Sequence, residues 1–172
     1  MKKRIRMFIM IILIALAVYL VLWRFWPNSL SNMISVNENA IDSVSAHAMV
    51  NHFGIGEDTI DTYLIGANEQ QVNTLDEIIE ILDISSYRQD FRNLIRWDLD
   101  YVDADKNHDG RTVTVSFYVG NKKDEYVQIQ FLSSSIIAVS SDDKTGFRVY
   151  HPTNKKTIDQ LVEYLQTYGV KQ

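Results

Sequence analysis

The sequence DKNHDGRT, which begins at Asp105, has the side chains and the spacing of a cation-binding loop. It matches the D-x-[DN]-x-[DN]-G opening of calcium loops, in which Asp105, Asn107 and Asp109 supply oxygens and Gly110 allows the sharp turn. Position 12 is Ser116 where an EF-hand has glutamate, and a strand pattern follows, so an EF-hand is excluded. Asn, Asp and Gly are also ordinary turn formers. Two interpretations stay open: a hairpin turn without metal, or a weak calcium site with a dissociation constant of about 10⁻⁴–10⁻³ M.

Three further carboxylates, Asp98, Asp100 and Asp103, have the spacing of paired acids. Such pairs act as proton donor and nucleophile in glycosidases, and Asp98 and Asp100 would share one strand face about 6.6 Å apart. Their alternation with Trp97 and Leu99 also explains them as the solvated face of a strand. No second catalytic signature accompanies them. We therefore expect no catalysis, and a cell-envelope hydrolase that uses these acids is the alternative.

The four histidines do not have the spacing of a zinc site. His47 and His52 are separated by an odd number of residues, which sends their side chains to opposite faces of a strand. His108 and His151 have no partner that the sequence reveals, and the chain has no His-Glu-x-x-His motif. We expect ordinary surface or half-buried histidines, and no cofactor apart from the weak calcium considered above.

Tyr118, Tyr126 and Tyr150 occupy strand positions that alternate with the main apolar residues. If their strands are neighbours, the three rings form an exposed aromatic strip, which suits the binding of a peptide or a glycan. The alternative is that they belong to a second small core under another part of the chain. The three tyrosines are the predicted binding surface.

Two capping boxes predict two helices. Thr74 precedes Glu77 by three residues, and Thr157 precedes Gln160 in the same way, so each threonine is expected to cap a helix. Apolar residues follow at i, i+3, i+4 and i+7, which places one apolar stripe on each helix. Gly169 stands where the second helix is expected to end. The stripes are Leu75, Ile78, Ile79 and Leu82 in the first helix and Ile158, Leu161, Val162 and Leu165 in the second.

Around these helices the apolar pattern has a period of two, which predicts strands with one buried face. Short turns between the strands favour antiparallel neighbours. Residues 85–96 fit either more helix or the approach to a strand. The predicted fold class is α+β: an antiparallel sheet, arranged as a meander, with two helices packed on one face. The predicted strands cover residues 41–50, 58–65, 97–102, 112–119, 126–131, 135–140 and 146–151.

The N-terminus has the composition of a membrane anchor. Residues 7–26 form an apolar run that, at about 1.5 Å per helical residue, spans roughly 30 Å, the thickness of a bilayer core. Residues 1–6 include four basic side chains, and such tails stay in the cytoplasm, so the C-terminal domain is expected outside. The run ends at the bulky Trp23, Trp26 and Pro27 instead of small residues, which favours an uncleaved signal anchor over a cleaved leader.

Beyond the anchor, composition predicts a linker over residues 27–39, which are rich in Asn and Ser, and an extracytoplasmic domain over residues 40–172. Five of the 17 basic residues lie at or before Arg24, which leaves 12 basic against 22 acidic residues and a formal charge near −10. This charge argues against nucleic acid as a partner and is compatible with divalent cations, cationic peptides or simple solubility. The absence of cysteine favours an exported protein from a bacterium.

The order of a basic start, one anchor, a Ser/Asn linker and an α+β domain resembles small membrane-anchored exported proteins of unknown function from low-GC Gram-positive bacteria. The phrases SVSAHAMV, TLDEIIEIL, DGRTVTVSFYV and FRVYH resemble positions in those families. The resemblance implies an extracellular domain and brings no catalytic residues. We therefore expect a membrane-anchored binding or interaction domain whose partner is an envelope protein or a peptide.

Overall fold

The computed structural model describes residues 2–52, 59–66, 73–90, 110–120, 126–141 and 148–172. Its architecture confirms the predicted α+β class, with an eight-stranded antiparallel sheet, several helices and an apolar helix at the N-terminus. The strand predicted over residues 97–102 lies outside the described residues.

Within the described residues the sheet has eight strands. They are β1 Ile41–His52, β2 Thr59–Ile65, β3 Tyr87–Gln89, β4 Arg111–Val119, β5 Tyr126–Ser133, β6 Ile136–Ser141, β7 Arg148–Pro152 and β8 Val170–Lys171. Six of them overlap the predicted period-two segments, whereas β3 and β8 were not predicted. Their order across the sheet is β3-β7-β6-β5-β4-β1-β2-β8. The run from β4 to β7 pairs in sequence order as the predicted meander, and β1 extends it beside β4.

In the described ranges four α-helices accompany the sheet: α1 Lys2–Arg24, α2 Leu30–Ile34, α3 Thr74–Asp83 and α4 Thr157–Tyr168, with a short 3-10 helix at Glu38–Ala40. The side chains of α2, α3 and α4 share one core with the strand residues Ala46, Val115 and Ile129, which are register partners on one face of the sheet. The predicted apolar stripes of α3 and α4 lie in or against this core.

The predicted N-cap position is wrong by one residue in both helices. The N-cap of α3 is Asn73, whose φ is 93°, and Thr74 is the first helical residue and is buried. The Thr74 side chain hydrogen-bonds with Tyr164 of α4. Thr157 is likewise the first residue of α4, and its hydroxyl donates to the Asn154 carbonyl oxygen at 3.0 Å. Tertiary contacts therefore decide what these threonines bind.

The linker prediction is wrong for residues 30–34, because these residues form α2 within the core. Leu30, Met33 and Ile34 are all buried, and α2 contacts β6. Just before α2, the backbone of Asn28 forms an isolated antiparallel bridge with Tyr87, with both N···O distances at 2.8 Å. Only three residues separate the end of α1 from this bridge. The apolar helix thus connects to the edge of the sheet through a short structured segment.

Within the described residues, α1 is the helix that is long and apolar enough to cross a membrane. Its span Ile5–Trp23 has a mean hydropathy of 2.8, and none of that span is buried inside the structure. A core helix of a globular domain would be covered by its neighbours. A membrane anchor and a signal peptide both satisfy these observations.

Candidate functional site

The sheet face opposite α2, α3 and α4 carries a tyrosine pair. Tyr118 follows the buried Phe117 along β4, so its ring lies on the opposite face. Tyr126 of β5 is its register partner, and the two ring centroids are 6.3 Å apart with an interplanar angle of 48°. The hydroxyl oxygens of Tyr118 and Ser45 lie 3.3 Å apart, which links the pair to β1. Tyr126 is 37% exposed, so its ring is available to a partner.

The third predicted member, Tyr150, is not part of this surface. It is 3% exposed and belongs to the main core, on the same face as its register partner Ile137. The preceding Val149 points the other way and packs with Ile136 and Leu132 in a small separate cluster. Val149 and Tyr150 are consecutive, and either side chain could be buried. Alternation along the strand therefore does not predict which of the two faces the main core. The aromatic strip is reduced to two rings.

Hydroxyl and amide side chains lie beside the tyrosine pair on the same face. Thr114 is opposite Gln130, Ser116 is opposite Gln128, and His47 of β1 is opposite Thr114. Such groups donate and accept hydrogen bonds. In the part of the chain that the structure describes, no group of three or more His, Cys, Asp or Glu side chains is placed to hold a metal ion.

His151 has a partner that sequence reasoning missed. Its Nε2 lies 2.8 Å from Asp90 Oδ2, and its Nδ1 lies 2.8 Å from the Ser135 carbonyl oxygen. A carbonyl oxygen and a carboxylate oxygen both accept hydrogen bonds. The two contacts are therefore satisfied together when both ring nitrogens carry a proton, or when Asp90 itself is protonated. Asp90 and His151 are 61 residues apart in sequence, and no local pattern relates them.

The contacts of His151 are those of a structural histidine and not those of a catalytic one. Both ring nitrogens are engaged, so neither is available to take a proton from a serine hydroxyl, which a nucleophilic triad requires. Asp90 is buried, and its backbone N–H donates to the Val149 carbonyl oxygen at 2.9 Å. The pair thus fastens the chain after β3 to β7 and to the turn before β6.

A polar groove of about 620 Å³ lies along the segment that follows the bridge between Asn28 and Tyr87. Three of its lining residues are asparagines, two are serines, one is the carboxylate Glu38, and one is apolar. Within the groove, Asn37 Oδ1 accepts a hydrogen bond from the Asn39 backbone at 3.0 Å, and Ser35 has a left-handed φ of 59°. The lining is Ser31, Asn32, Ser35, Val36, Asn37, Glu38 and Asn39.

The charge near this groove is negative. Burial raises the pKa of Asp83, at the end of α3, and the nearby carboxylate of Glu38 raises it further. The two carboxylates therefore repel each other when both are ionised. The Asn- and Ser-rich composition of this segment predicted a linker, so the groove was missed. The same composition was the signal in the sequence that could have indicated a polar groove.

The acidic sets that the sequence singled out lie outside the described residues, as does His108. The one described member of the calcium-loop pattern is Gly110, whose φ is 80° and whose carbonyl oxygen accepts the Asn51 N–H at 2.7 Å. A left-handed glycine is what a sharp turn into β4 requires. The sets are Asp98, Asp100 and Asp103, and Asp105, Asn107 and Asp109.

Comparison with known proteins adds no relative to this description. No protein-family model, no curated protein and no solved structure matches the chain. The fold and the surfaces of the chain are therefore what indicates its function.

Proposed function

We propose that the chain is a single-pass membrane protein that displays a non-enzymatic binding domain outside the cell, with its N-terminus in the cytoplasm. The observation that carries the proposal is the junction between the two parts. An unburied apolar helix of membrane-spanning length ends at Arg24, and four residues later Asn28 is already paired with the sheet. A leader that is removed after export does not need such a junction.

The junction also supports a function at the membrane surface. The Asn28 bridge and the buried helix α2 leave little free chain between the bilayer and the domain, so the domain would be held close to the lipid at one orientation. The groove over residues 31–39 would then lie near the membrane. Interaction with an envelope protein or an exported peptide fits this placement, and the cysteine-free composition supports a bacterial origin.

A binding role is supported further by the character of the described surfaces. The open sheet face presents the Tyr118 and Tyr126 rings among neutral hydrogen-bonding groups, which is the composition of recognition surfaces. The described His–Asp contact, between His151 and Asp90, has both ring nitrogens occupied. No described observation favours a hydrolase, so we propose binding alone.

Single-cysteine labelling tests the topology, because the natural chain has no cysteine. Lys3→Cys and Lys155→Cys are made separately, and intact cells that express each variant are treated with a membrane-impermeant maleimide. We expect Lys155→Cys to react in intact cells, Lys3→Cys to react only after permeabilisation, and the parent chain to stay unlabelled. Labelling of Lys3→Cys in intact cells, or release of a shortened domain into the medium, would contradict the proposal.

A further inference from the structure

We propose that one edge of the sheet lies on the membrane surface and binds the headgroups of anionic lipids. This edge consists of β3, its neighbour β7 and the turn over residues 153–156, and we call it the basic edge. Binding of this kind rests on the proposed membrane topology, because only an anchored domain has a bilayer beside it. Contact with lipid headgroups goes beyond that topology, because it fixes which part of the domain faces the membrane and which lipids it favours.

Basic side chains without a partner are concentrated at this edge. Beyond α1 the structure describes six lysines and arginines, and two of them form salt bridges with aspartates, at Arg111 in β4 and at Lys171 in β8. The other four are exposed, and within the described residues none of them has an acidic partner. They lie on β3, on β7 and in the turn after β7: Arg88, Arg148, Lys155 and Lys156. Their charges therefore remain available to an anionic partner.

The basic edge is also the part of the domain that is joined to the apolar helix. The Trp26 N–H donates to the Trp23 carbonyl oxygen at 3.2 Å, so a helical turn continues to Trp26. Pro27 is then the only residue between this turn and the bridge at Asn28. Tyr87, the partner of Asn28 in the bridge, is the first residue of β3. If α1 spans a bilayer, β3 is therefore the strand nearest to the lipid.

The turn with the two lysines is fastened to the same strand. The Thr153 N–H donates to the Ser86 carbonyl oxygen at 2.8 Å, and the Asn154 N–H donates to the Ser85 hydroxyl oxygen at 3.1 Å. Ser85 and Ser86 directly precede β3, and the lysines directly follow Asn154. The lysine side chains are therefore held beside the start of the strand that pairs with the segment after α1.

Exposed apolar side chains accompany the basic ones. Trp26, two residues before the bridge, is 70% exposed, and Ile84, three residues before Tyr87, is 51% exposed. Tryptophan and basic side chains are typical of the membrane interface, where aromatic rings lie at headgroup level and cations attract anionic lipids. A soluble anion would leave the apolar side chains in water, whereas a lipid surface contacts both kinds of side chain.

The negative charge of the whole domain does not prevent this contact. Six of the described acids lie on α3 and α4, which contact β1, β2 and β4 in the other half of the sheet. At physiological ionic strength, exposed charges are screened over about 8 Å, so the charges nearest to the lipid decide the interaction. Of the described acids near the basic edge, Asp90 contacts His151, which leaves Asp83 against four basic side chains.

Quenching of a single fluorophore by nitroxide-labelled lipid headgroups tests the proposal on the full chain in nanodiscs. The chain has no cysteine, so Ile84→Cys at the basic edge and Val170→Cys in β8 are each labelled with a nitrobenzoxadiazole dye. Both positions are exposed, and eight strands at a spacing of about 4.8 Å place the two edges roughly 34 Å apart. The bilayer is phosphatidylcholine alone or an equal mixture with phosphatidylglycerol.

The charge variants are Lys155→Gln and Lys156→Gln, each made in the Ile84→Cys chain. Lys171→Gln in the same chain is the matched control, because it removes the same charge from the opposite edge of the sheet. Fluorescence lifetimes give the ratio of quenched to unquenched dye, which measures the fraction of domains that lie on the lipid. Thermal unfolding of every variant establishes that it is folded.

In the mixed bilayer we expect quenching at Ile84→Cys to be several times stronger than at Val170→Cys. Each of the two lysine substitutions should lower the ratio of quenched to unquenched dye about fivefold, the usual effect of one basic residue near an anionic surface. Lys171→Gln should change the ratio less than about twofold, because its distance from the lipid exceeds the screening length. Phosphatidylcholine alone should give weaker quenching at Ile84→Cys.

Several results would overturn the proposal. Equal quenching at the two positions, in a chain whose Lys3 and Lys155 variants label as expected, would remove the lipid-facing edge and leave the topology intact. Labelling of Lys3→Cys in intact cells would instead remove the topology itself. Equal quenching in both bilayers, unchanged by the lysine substitutions, would show apolar contact alone. If soluble polyphosphate also bound in phosphatidylcholine and both lysine variants lost that binding, the edge would belong to a polymeric anion.

Discussion

Tyr87 is the residue at which the segment after α1, the sheet and α3 meet, and its replacement by phenylalanine gives a defined prediction. Its side chain is fully buried, and its hydroxyl donates to the Leu82 carbonyl oxygen at 2.6 Å. Its backbone pairs with Asn28 on one side and with Pro152 on the other. Burial, and secondarily the charge of Asp83, raises the pKa of Tyr87, so the hydroxyl stays protonated and remains a donor.

The magnitude follows from what Tyr87→Phe leaves behind. The Leu82 carbonyl oxygen also accepts the Ser85 N–H at 3.2 Å, so it keeps one partner when the tyrosine hydroxyl is lost. The cost is then that of one net hydrogen bond, about 1 kcal/mol, instead of the larger penalty for an unsatisfied buried acceptor. For a domain of this size, this corresponds to a decrease of about 2–4 °C in the unfolding temperature.

Circular dichroism of the full chain in an uncharged detergent, during heating and during urea titration, measures this effect. Tyr126→Phe is the matched control, because that ring is partly exposed, and its free energy of unfolding should change by less than about 0.5 kcal/mol. Equal effects of the two substitutions would refute the buried hydrogen bond. A loss above about 3 kcal/mol from Tyr87→Phe would show that the Leu82 carbonyl has no second partner.

Three further substitutions test other parts of the structure by urea unfolding. Leu30→Ala should cost about 2–5 kcal/mol, because it empties a fully buried position in α2. Gly169→Ala should cost about 1–3 kcal/mol, since the new Cβ would lie 2.4 Å from the Leu165 carbonyl oxygen. A double-mutant cycle with Asp90→Ala and His151→Ala should give a coupling energy of about 0.5–1.5 kcal/mol, limited by the partial exposure of the imidazole.

Matched controls make these outcomes decisive. Ser31→Ala in α2 and Gln166→Ala on the exposed side of α4 should each stay within about 0.5 kcal/mol of the parent. If Leu30→Ala is no worse than Ser31→Ala, residues 27–39 are a linker after all. If Gly169→Ala lowers the free energy of unfolding no more than Gln166→Ala does, the backbone after α4 shifts freely to accommodate the new Cβ. A coupling energy of zero would mean that the two side chains act independently.

The elements that the sequence predicted correctly are those whose signal is local. The apolar stripes of α3 and α4 and the alternation along β4 and β5 repeat within a few residues, and burial of one face follows from that repeat. The fold class and the meander follow in turn from the short connections. These inferences need no knowledge of which distant residues meet.

The errors occur where distant contacts decide the structure. A five-residue helix such as α2 has little intrinsic stability, so its formation depends on core packing that composition does not reveal. Thr74 fits a capping box, but its side chain hydrogen-bonds with Tyr164 of another helix. The Asp90–His151 pair joins the chain after β3 to β7, 61 residues further along the sequence. Tyr150 follows another apolar residue, so the period of two gave no unique face.

The central claim is that a short structured segment, and not a flexible linker, joins the apolar helix α1 to the domain. Electron–electron double resonance between spin labels at Val21→Cys in α1 and Lys155→Cys in the domain tests it directly, because both sites are exposed and the chain has no other cysteine. Our account predicts one narrow distance distribution, only a few ångströms wide. A spread on the order of 20 Å, which a flexible linker over residues 27–39 would give, would contradict it.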